Sequence, residues 1–381
     1  LKAPQALSSR RSTLNPTLQH RIARLRKSLA SRELDALLVL IAENRRYLSG
    51  FTGEDNGFDE SAGALIIGAH HLILATDSRF ELQARLEAPD FNVAVYTRGL
   101  TRELPALIEP LGAKRFGVES RRISLAWHAE ILEALASAGL KVEVVPVEEM
   151  VEPLRAVKGP EEIEATRAAL AVAEAVFTEI TAKLQPGMTE KQIARALEGA
   201  ARQAGADAMS FPTIVAAGPN SALPHAIPGD RPVAAGEPLL IDWGVRLDGY
   251  CSDTTRTFVL GAPDGEFRRI YKVVRQAQRM ATAAIRPGIT GREVDAVARD
   301  HIAESGFAGK FGHGLGHGTG LAIHETPRLS PLSDAVLEKG MIVTVEPGIY
   351  IEGWGGIRLE NQVVVTDSGA EVLNSLPFLF E

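Results

Sequence analysis

The chain has 381 residues, 45% of them hydrophobic, a formal net charge of −7 and a single cysteine, Cys251. That length suits two domains with separate cores, the negative balance argues against a nucleic-acid binder, and one cysteine rules out an intrachain disulfide framework and fits a reducing compartment. No apolar run reaches the roughly 18 residues of a membrane span, and the leading LKAPQALSSRRSTLNP lacks the apolar core of a signal peptide, so a cytoplasmic protein with no membrane partner is expected.

Residues 17–34 predict an amphipathic helix, with Leu18, Ile22, Leu25 and Leu29 at helical spacing among Arg and Lys. The short apolar run Ala36–Ile41 predicts a buried strand, and Leu65–Ile67 and Leu72–Ala75 predict two more around the polar bend 68–71. Loop 50–60, GFTGEDNGFDE, reads as solvated. A helix over 78–87, a strand over 92–96, helices near 101–110 and 124–138, and strands over 115–119 and 141–145 follow. Strands alternating with helices predict an α/β domain with a largely parallel sheet over residues 1–150. The segment 151–162, VEPLRAVKGPEE, breaks any helix at Pro153 and Gly159-Pro160 and marks the boundary to a second domain, 151–381.

The second domain opens with a long Ala-rich helix over about 161–184 and contains an internal repeat. PGMTEKQIARALEGAARQAGA at 186–206 and PGITGREVDAVARDHIAESGF at 287–307 share Pro-Gly, an apolar residue, Thr and an amphipathic helix ending near Gly. The Thr suits a helix N-cap in both, with Gln192 or Val294 at helical offset and Glu293 near the first turn. The period is far too long for a solenoid, so a duplicated half-domain is the reading, and two unrelated helix starts are the alternative.

Two stretches predict hairpins that carry acids. In LLIDWGVRLDGYCSDTTRTFV, 239–259, Asp248-Gly249 is a hairpin turn signal, and Asp242 and Asp253 lie almost symmetrically about it as near-opposite neighbours. In MIVTVEPGIYIEGWGGIRLENQVVV, 341–365, Glu346 and Glu360 flank a Gly-rich turn at 353–356 in the same way. An acid within an apolar strand incurs a desolvation cost, and like charges opposite each other are destabilising unless a cation lies between them. Arg358 shares a strand face with Glu360 and can pair with Glu360 or Glu346.

Between them lies FGHGLGHGTGLAIHETP, 311–327, with His313, His317 and His324 among Gly312, Gly314, Gly316, Gly318 and Gly320. Five glycines disfavour a helix, so the segment reads as extended. The face without side chains then admits another backbone or a ligand, and a flexible loop with incidental histidines is the alternative. Four carboxylates carry a charge that two divalent cations balance. An oxygen-rich set with one imidazole suits Mn, Co, Fe or Zn over a thiolate-type zinc site. Such a pair activates water and predicts metal-assisted hydrolysis.

These residues resemble the metallopeptidases of the pita-bread fold, in their proline-peptidase branch of Xaa-Pro dipeptidases (prolidases) and aminopeptidases P. IDWGVRLDGYCSDTTRTF, HGLGHGTGLAIHETP, VEPGIY and IRLEN occur in the family's order, and ENRRYLSGFTG and ATDSRF resemble its creatinase/prolidase N-terminal domain. The resemblance implies an α/β N-terminal domain followed by an α+β pita-bread catalytic domain with an internal pseudo-twofold repeat. It implies hydrolysis of the Xaa-Pro bond by a hydroxide bridging two divalent metal ions, with manganese foremost and Co, Zn or Fe as alternatives. The implied metal ligands are Asp242, Asp253, His317, Glu346 and Glu360.

Further roles follow from the same resemblance. His225 positions the scissile amide or its leaving nitrogen, and His324 donates a hydrogen bond to the developing oxyanion. Glu346 shuttles a proton as general base and acid. His313 lies at the substrate-binding rim, Arg328 holds the substrate carboxylate, and Arg358 supports the site as a further substrate-side arginine. An X–Pro amide has no N–H to donate, so a small apolar pocket for the ring is expected, with Phe211, Pro212 or Trp354 as lining. The partner is a peptide with proline second, and the family's habit implies a homodimer. Dipeptidase and aminopeptidase readings both stay open. The alternatives are a metal-free, creatinase-like amidinohydrolase and a non-catalytic peptide-binding relative.

Overall fold

The computed structural model describes residues 15–58 and 60–379. The leading segment that bears on targeting falls, through residue 14, outside them. Among the described residues no helix is long and apolar enough to cross a membrane. The chain divides into two compact units, the first ending at Leu154 and the second running Arg155–Glu381.

In the first unit β1 (Ala36–Val39), β2 (Ala64–Gly68), β3 (Leu72–Thr76), β4 (Asn92–Val95), β5 (Arg115–Glu119) and β6 (Glu143–Val147) form one sheet in the order β4-β3-β2-β1-β5-β6. The sheet is mixed, which corrects the expected largely parallel one. The pairs β1/β5, β5/β6 and β3/β4 are parallel, while β2 runs antiparallel to both β1 and β3. The cause is the short bend after β2, where the Gly68 N–H donates to His71 O at 3.0 Å and closes a tight hairpin. Every residue of β1 and β2 is buried, as expected of strands covered on both faces. Loop 50–60 is less solvated than expected. Asp55 Oδ1 lies 2.6 Å from Nη2 of the wholly buried Arg45, and Asp55 Oδ2 lies 3.2 Å from Arg122 Nη2. A buried guanidinium without that carboxylate would be costly.

The second unit repeats one plan. Helices Pro160–Thr181 and Glu190–Gln203 precede β7 (Ala208–Met209), β8 (Ile214–Ala217), β9 (Pro238–Trp243), β10 (Val245–Leu247), β11 (Tyr250–Cys251) and β12 (Thr254–Val259). Helices Gly265–Ala284 and Gly291–Ile302 precede β13 (Gly316–Gly318), β14 (Glu325–Leu329), β15 (Ile342–Val345), β16 (Gly348–Ile351), β17 (Gly355–Arg358), β18 (Asn361–Val365) and β19 (Ala370–Val372). The second helix of each half starts with a capping box, Thr189 with Gln192 and Thr290 with Glu293. The partner of Thr290 is thus Glu293, not Val294. Each cap also bridges to an extended segment 40-odd residues on, Thr189 to Pro232 and Thr290 to Val336, so the duplication reaches well beyond the two helix starts.

Each half ends in a long antiparallel hairpin that is interrupted midway. In the first, β9 pairs β12 and β10 pairs β11. In the second, β15 pairs β18 and β16 pairs β17. Apolar side chains from the strands and from each half's helices fill the core, Phe177, Ile193 and Trp243 in the first half and Phe267, Val343 and Ile357 in the second. The acids sit where the two hairpins are interrupted.

Candidate active site

The turn at Asp248-Gly249 sets the first hairpin. Both residues have positive φ, 46° and 77°, as the two-residue turn that matches strand twist requires, and Leu247 faces Tyr250. From that register Asp242 falls opposite Thr255 on one side and Ile214 on the other. Asp253 falls opposite Gly244, just outside β12. The two aspartates are therefore diagonal neighbours on one face of the sheet, and the expected near-opposite pairing is off by two residues. A diagonal offset still brings side chains within reach. Gly244 is required there, because a Cβ would run into the backbone carbonyl of Ser252. Behind Asp242, the Trp243 ring stacks on Phe177 with centroids 4.1 Å apart, and its Nε1 donates to Ala173 O at 3.0 Å. Those contacts anchor the end of β9.

In the second hairpin Val345 pairs Asn361 and Gly348 pairs Arg358. Glu346 and Glu360 lie between these pairs and face each other across the gap. His317 lies on β13, which pairs with both β14 and β15. The glycines beside it serve the sheet. A Cβ on Gly316 would collide with Thr344 O and one on Gly318 with Thr326 O, so neighbouring backbone fills the bare face at these two positions, while Gly314 and Gly316 also line the cavity at this site.

The oxygens of Asp242, Asp253 and Glu360 lie within 4.8 Å of one another, and all three residues are buried. His317 Nε2 stands 3.5 Å from Asp253 Oδ2 and 3.4 Å from Glu346 Oε1. Its Nδ1 lies 3.1 Å from Gly318 O, a contact that fixes the proton on Nδ1 and leaves the Nε2 lone pair facing the acids. Burial pushes this imidazole down to about 3, so it is neutral. Burial, followed by mutual repulsion, raises the carboxyls of Asp253 and Glu360 well above the ordinary range. Burial also pushes Glu346 up to about 7, against the pull of Arg358.

Among the described residues one cation serves this cluster directly. Arg358 Nη2 donates to Asp242 Oδ2 at 2.6 Å, while Glu346 Oε2 is 4.0 Å from its Nε. The expected ion pair with Glu346 is present at that longer distance, and a shorter one with Asp242 of β9 is added to it. Arg358 Nη1 donates to Tyr350 Oη at 3.0 Å and Pro224 O at 3.2 Å, and Nε donates to Thr255 Oγ1 at 3.2 Å. Thr255 Oγ1 in turn donates to Glu360 Oε2 at 2.6 Å. Asp242 Oδ1 and Glu360 Oε1 remain buried with no hydrogen-bond partner. A buried carboxylate oxygen without a partner is rare and costly. Two such atoms, pointed into a set of hard oxygen donors and one imidazole, fit divalent metal ions.

All ten residues given catalytic, substrate or metal roles in the sequence analysis line one cavity of about 630 Å³. The acids, His317 and Arg358 are at its buried end, and His225, His324 and Arg328 are exposed. The His324 ring meets His317 edge-on with centroids 4.4 Å apart. His313 is half-buried, with Nε2 2.8 Å from Tyr350 Oη and Nδ1 2.8 Å from Gly314 O. Burial takes it down to about 4. Phe211, Pro212, Ile214, Ile227 and Ile323 supply apolar wall. Trp354 packs against the core of the second half instead.

The sequence reading missed Tyr350, Thr255 and Thr344. Thr344 Oγ1 lies 3.2 Å from Glu346 Oε1 and accepts from the His317 N–H at 3.0 Å. Thr255 was within reach, since counting back from the Asp248-Gly249 turn places it opposite Asp242. The signal for Tyr350 is its glycine surroundings. It pairs with Gly356, and a Cβ on Gly348 would strike its ring.

Residues 21–157 match the creatinase/prolidase N-terminal domain, and residues 164–367 match metallopeptidase family M24. The chain is 38% identical over 357 residues to the uncharacterized peptidase YqhT of Bacillus subtilis, covering 94% of this chain and 98% of that one. It superposes on an Xaa-Pro dipeptidase from Bacillus anthracis with a TM-score of 0.89 at 36% identity, covering 95% of this chain and 98% of the other. An X-Pro aminopeptidase from Thermotoga maritima matches with a TM-score of 0.83 at 36% identity, covering 92% and 98%. With paired acidic hairpins repeated about a buried, metal-fitting cluster, and with relatives along nearly its whole length, the chain is an enzyme of metallopeptidase family M24, a pita-bread catalytic domain behind a creatinase/prolidase N-terminal domain.

Proposed function

We propose that the enzyme hydrolyses the Xaa-Pro bond of short peptides with two divalent cations, manganese foremost, held by Asp242, Asp253, His317, Glu346 and Glu360. We assign it to the cytoplasm as a homodimer. The observation that carries the reading is the pair of buried, unpartnered oxygens Asp242 Oδ1 and Glu360 Oε1 amid acids whose raised carboxyl affinities for protons mark uncompensated negative charge. The cations would neutralise that charge, polarise the scissile carbonyl and activate water.

The remaining work falls to side chains around the cavity. Glu346 takes a proton from the attacking water and delivers it to the proline nitrogen as the C–N bond breaks. His324, whose imidazole burial pushes below its ordinary value, is neutral and donates to the carbonyl oxygen as negative charge develops there. His225 orients the amide, which lacks an N–H of its own. Phe211, Pro212 and Ile214 offer apolar surface to the ring. Arg328 accepts the terminal carboxylate of a dipeptide. Arg358, with each nitrogen bonded to a protein group, acts through Asp242 and Tyr350. Both a dipeptidase and an aminopeptidase are among the similar structures.

The test is hydrolysis of Ala-Pro and Ala-Pro-Ala by metal-stripped and Mn-reconstituted protein. Cleavage of the dipeptide alone makes it a dipeptidase, and cleavage of the tripeptide makes it an aminopeptidase. Absence of metal-dependent cleavage of both sinks the proposal and leaves amidinohydrolysis or peptide binding.

A further inference from the structure

A second buried charged cluster lies outside the cavity. Glu325 directly follows His324 and is itself absent from the cavity wall. Its Oε2 accepts from Lys158 Nζ at 2.9 Å, and its Oε1 accepts from Arg155 Nη2 and from the Ala322 N–H at 3.0 Å. The side chains of all three charged residues are at most 5% exposed. Burial alone would raise the Glu325 carboxyl, but Lys158 and Arg155 override it and hold it down at about 2.

Both ends of this cluster are tied to elements of the site. Residues 155–158 form a strap. Val157 bridges to Met341, and the Lys158 N–H donates to Gly340 O at 2.9 Å, just ahead of β15, the strand that leads to Glu346. On the other side, Glu325 opens β14 and pairs with Gly318 of β13, next to His317. Gly320 packs on the Glu325 carboxylate so closely that a Cβ would come within 2.8 Å of it. The loop 320–324 is therefore clamped by a carboxylate bonded to its own backbone and to the strap. His324 is the last residue of that loop and lines the cavity, while the adjoining Glu325 is buried away from it, so fixing Glu325 and the loop backbone fixes where the His324 side chain leaves the chain.

We propose that Glu325, held by Arg155 and Lys158, is a positioning residue that fixes the His324 ring in the cavity. The proposal rests on the role assigned above to His324. A reacting group displaced by about 1 Å costs on the order of 100-fold in rate, whereas an ion cluster that only stabilises the fold leaves the turnover of folded enzyme unchanged.

The experiment compares Glu325→Gln and Lys158→Met, each in the wild-type and the His324→Ala background, using Mn-loaded full-length enzyme and Ala-Pro. The second variant keeps the Arg155–Glu325 pair and decides the matter if the first does not fold. In the wild-type background kcat should fall about tenfold or more with KM little changed, and in the His324→Ala background neither substitution should lower kcat further. In metal-free protein the His324 imidazole proton resonance should broaden or split in both variants. Equal fractional losses of kcat in the two backgrounds, or unchanged kcat in folded variants, overturn positioning. Unchanged kcat in His324→Ala alone overturns the role of His324 itself.

Discussion

Arg358 Nη2 lies 2.6 Å from Asp242 Oδ2, while Asp242 Oδ1 has no partner. One guanidinium therefore balances part of an acidic cluster that lacks any other direct cation among the described residues. Removing one member of a buried charge pair costs about 3–5 kcal/mol, because the other charge is left uncompensated. Arg358→Met is expected to destabilise the metal-free enzyme by that order. Its defect should shrink when Mn is added, since the ions take over the balance at Asp242. Urea unfolding with EDTA and with Mn measures both, and a defect of the same size in the two conditions would refute the assignment.

Metal-free protein should also lose stability with rising pH. Burial pushes Glu346 up to about 7 from an ordinary 4.5, and Asp253 and Glu360 are raised as well. Between the unfolded and the folded value, the folded state binds more protons. The Glu346 contribution is thus most favourable below about 4.5, declines as pH rises toward 7 and stays low above it, and Asp253 and Glu360 act in the same direction. With EDTA, unfolding free energy is expected to be a few kcal/mol lower at pH 8 than at pH 5.5. Saturating Mn should reverse the order, because the ligands must be deprotonated to bind.

Asp253→Asn separates folding from function. The side chain lies among Glu360, Asp242 and Glu346, whose charges all raise its carboxyl. Loss of one of these charges relieves repulsion, so the metal-free variant should melt at or above wild type at pH 8. The same change removes one of the five proposed ligands, so bound metal and Ala-Pro hydrolysis should both disappear. A variant that retains two ions per chain, measured by elemental analysis, contradicts the ligand set.

The acids were legible because a turn dipeptide and an alternating apolar strand place charged residues on the line of a hairpin, and a desolvated acid stands out in LLID or VTVE. Their exact partners needed the register: Asp242 and Asp253 are only approximately symmetric about Asp248-Gly249, and the ladder puts Thr255 opposite Asp242. The polar neighbours were hidden for a different reason. Thr344 and Tyr350 are ordinary strand residues in composition, and contacts with residues far apart in sequence, Thr344 to His317 and Tyr350 to His313, reveal their duty. The glycines of 311–320 left backbone and ligand both open as neighbours, because sequence shows that a side chain is missing but not what fills the space. In the N-terminal unit, the parallel sheet expected from strand and helix alternation gave way to the local hairpin of β2 and β3.

The choice between dipeptidase and aminopeptidase turns on Arg328. It faces His317 across β13 and β14, lies exposed on the cavity wall, and its charge lowers both His317 and His324. A positive group beside the imidazoles suits a carboxylate one residue beyond the scissile bond, which a dipeptide carries and a tripeptide does not. Arg328→Met should raise KM for Ala-Pro by about tenfold, a loss of about 1.4 kcal/mol in line with a charge-assisted hydrogen bond to a substrate that stays partly solvated. For Ala-Pro-Ala, any KM should change less than threefold (about 0.6 kcal/mol). The fold should be untouched, since Arg328 is a surface residue. Equal effects on both peptides would place the carboxylate elsewhere and leave Arg328 as a general attractant for anionic substrates.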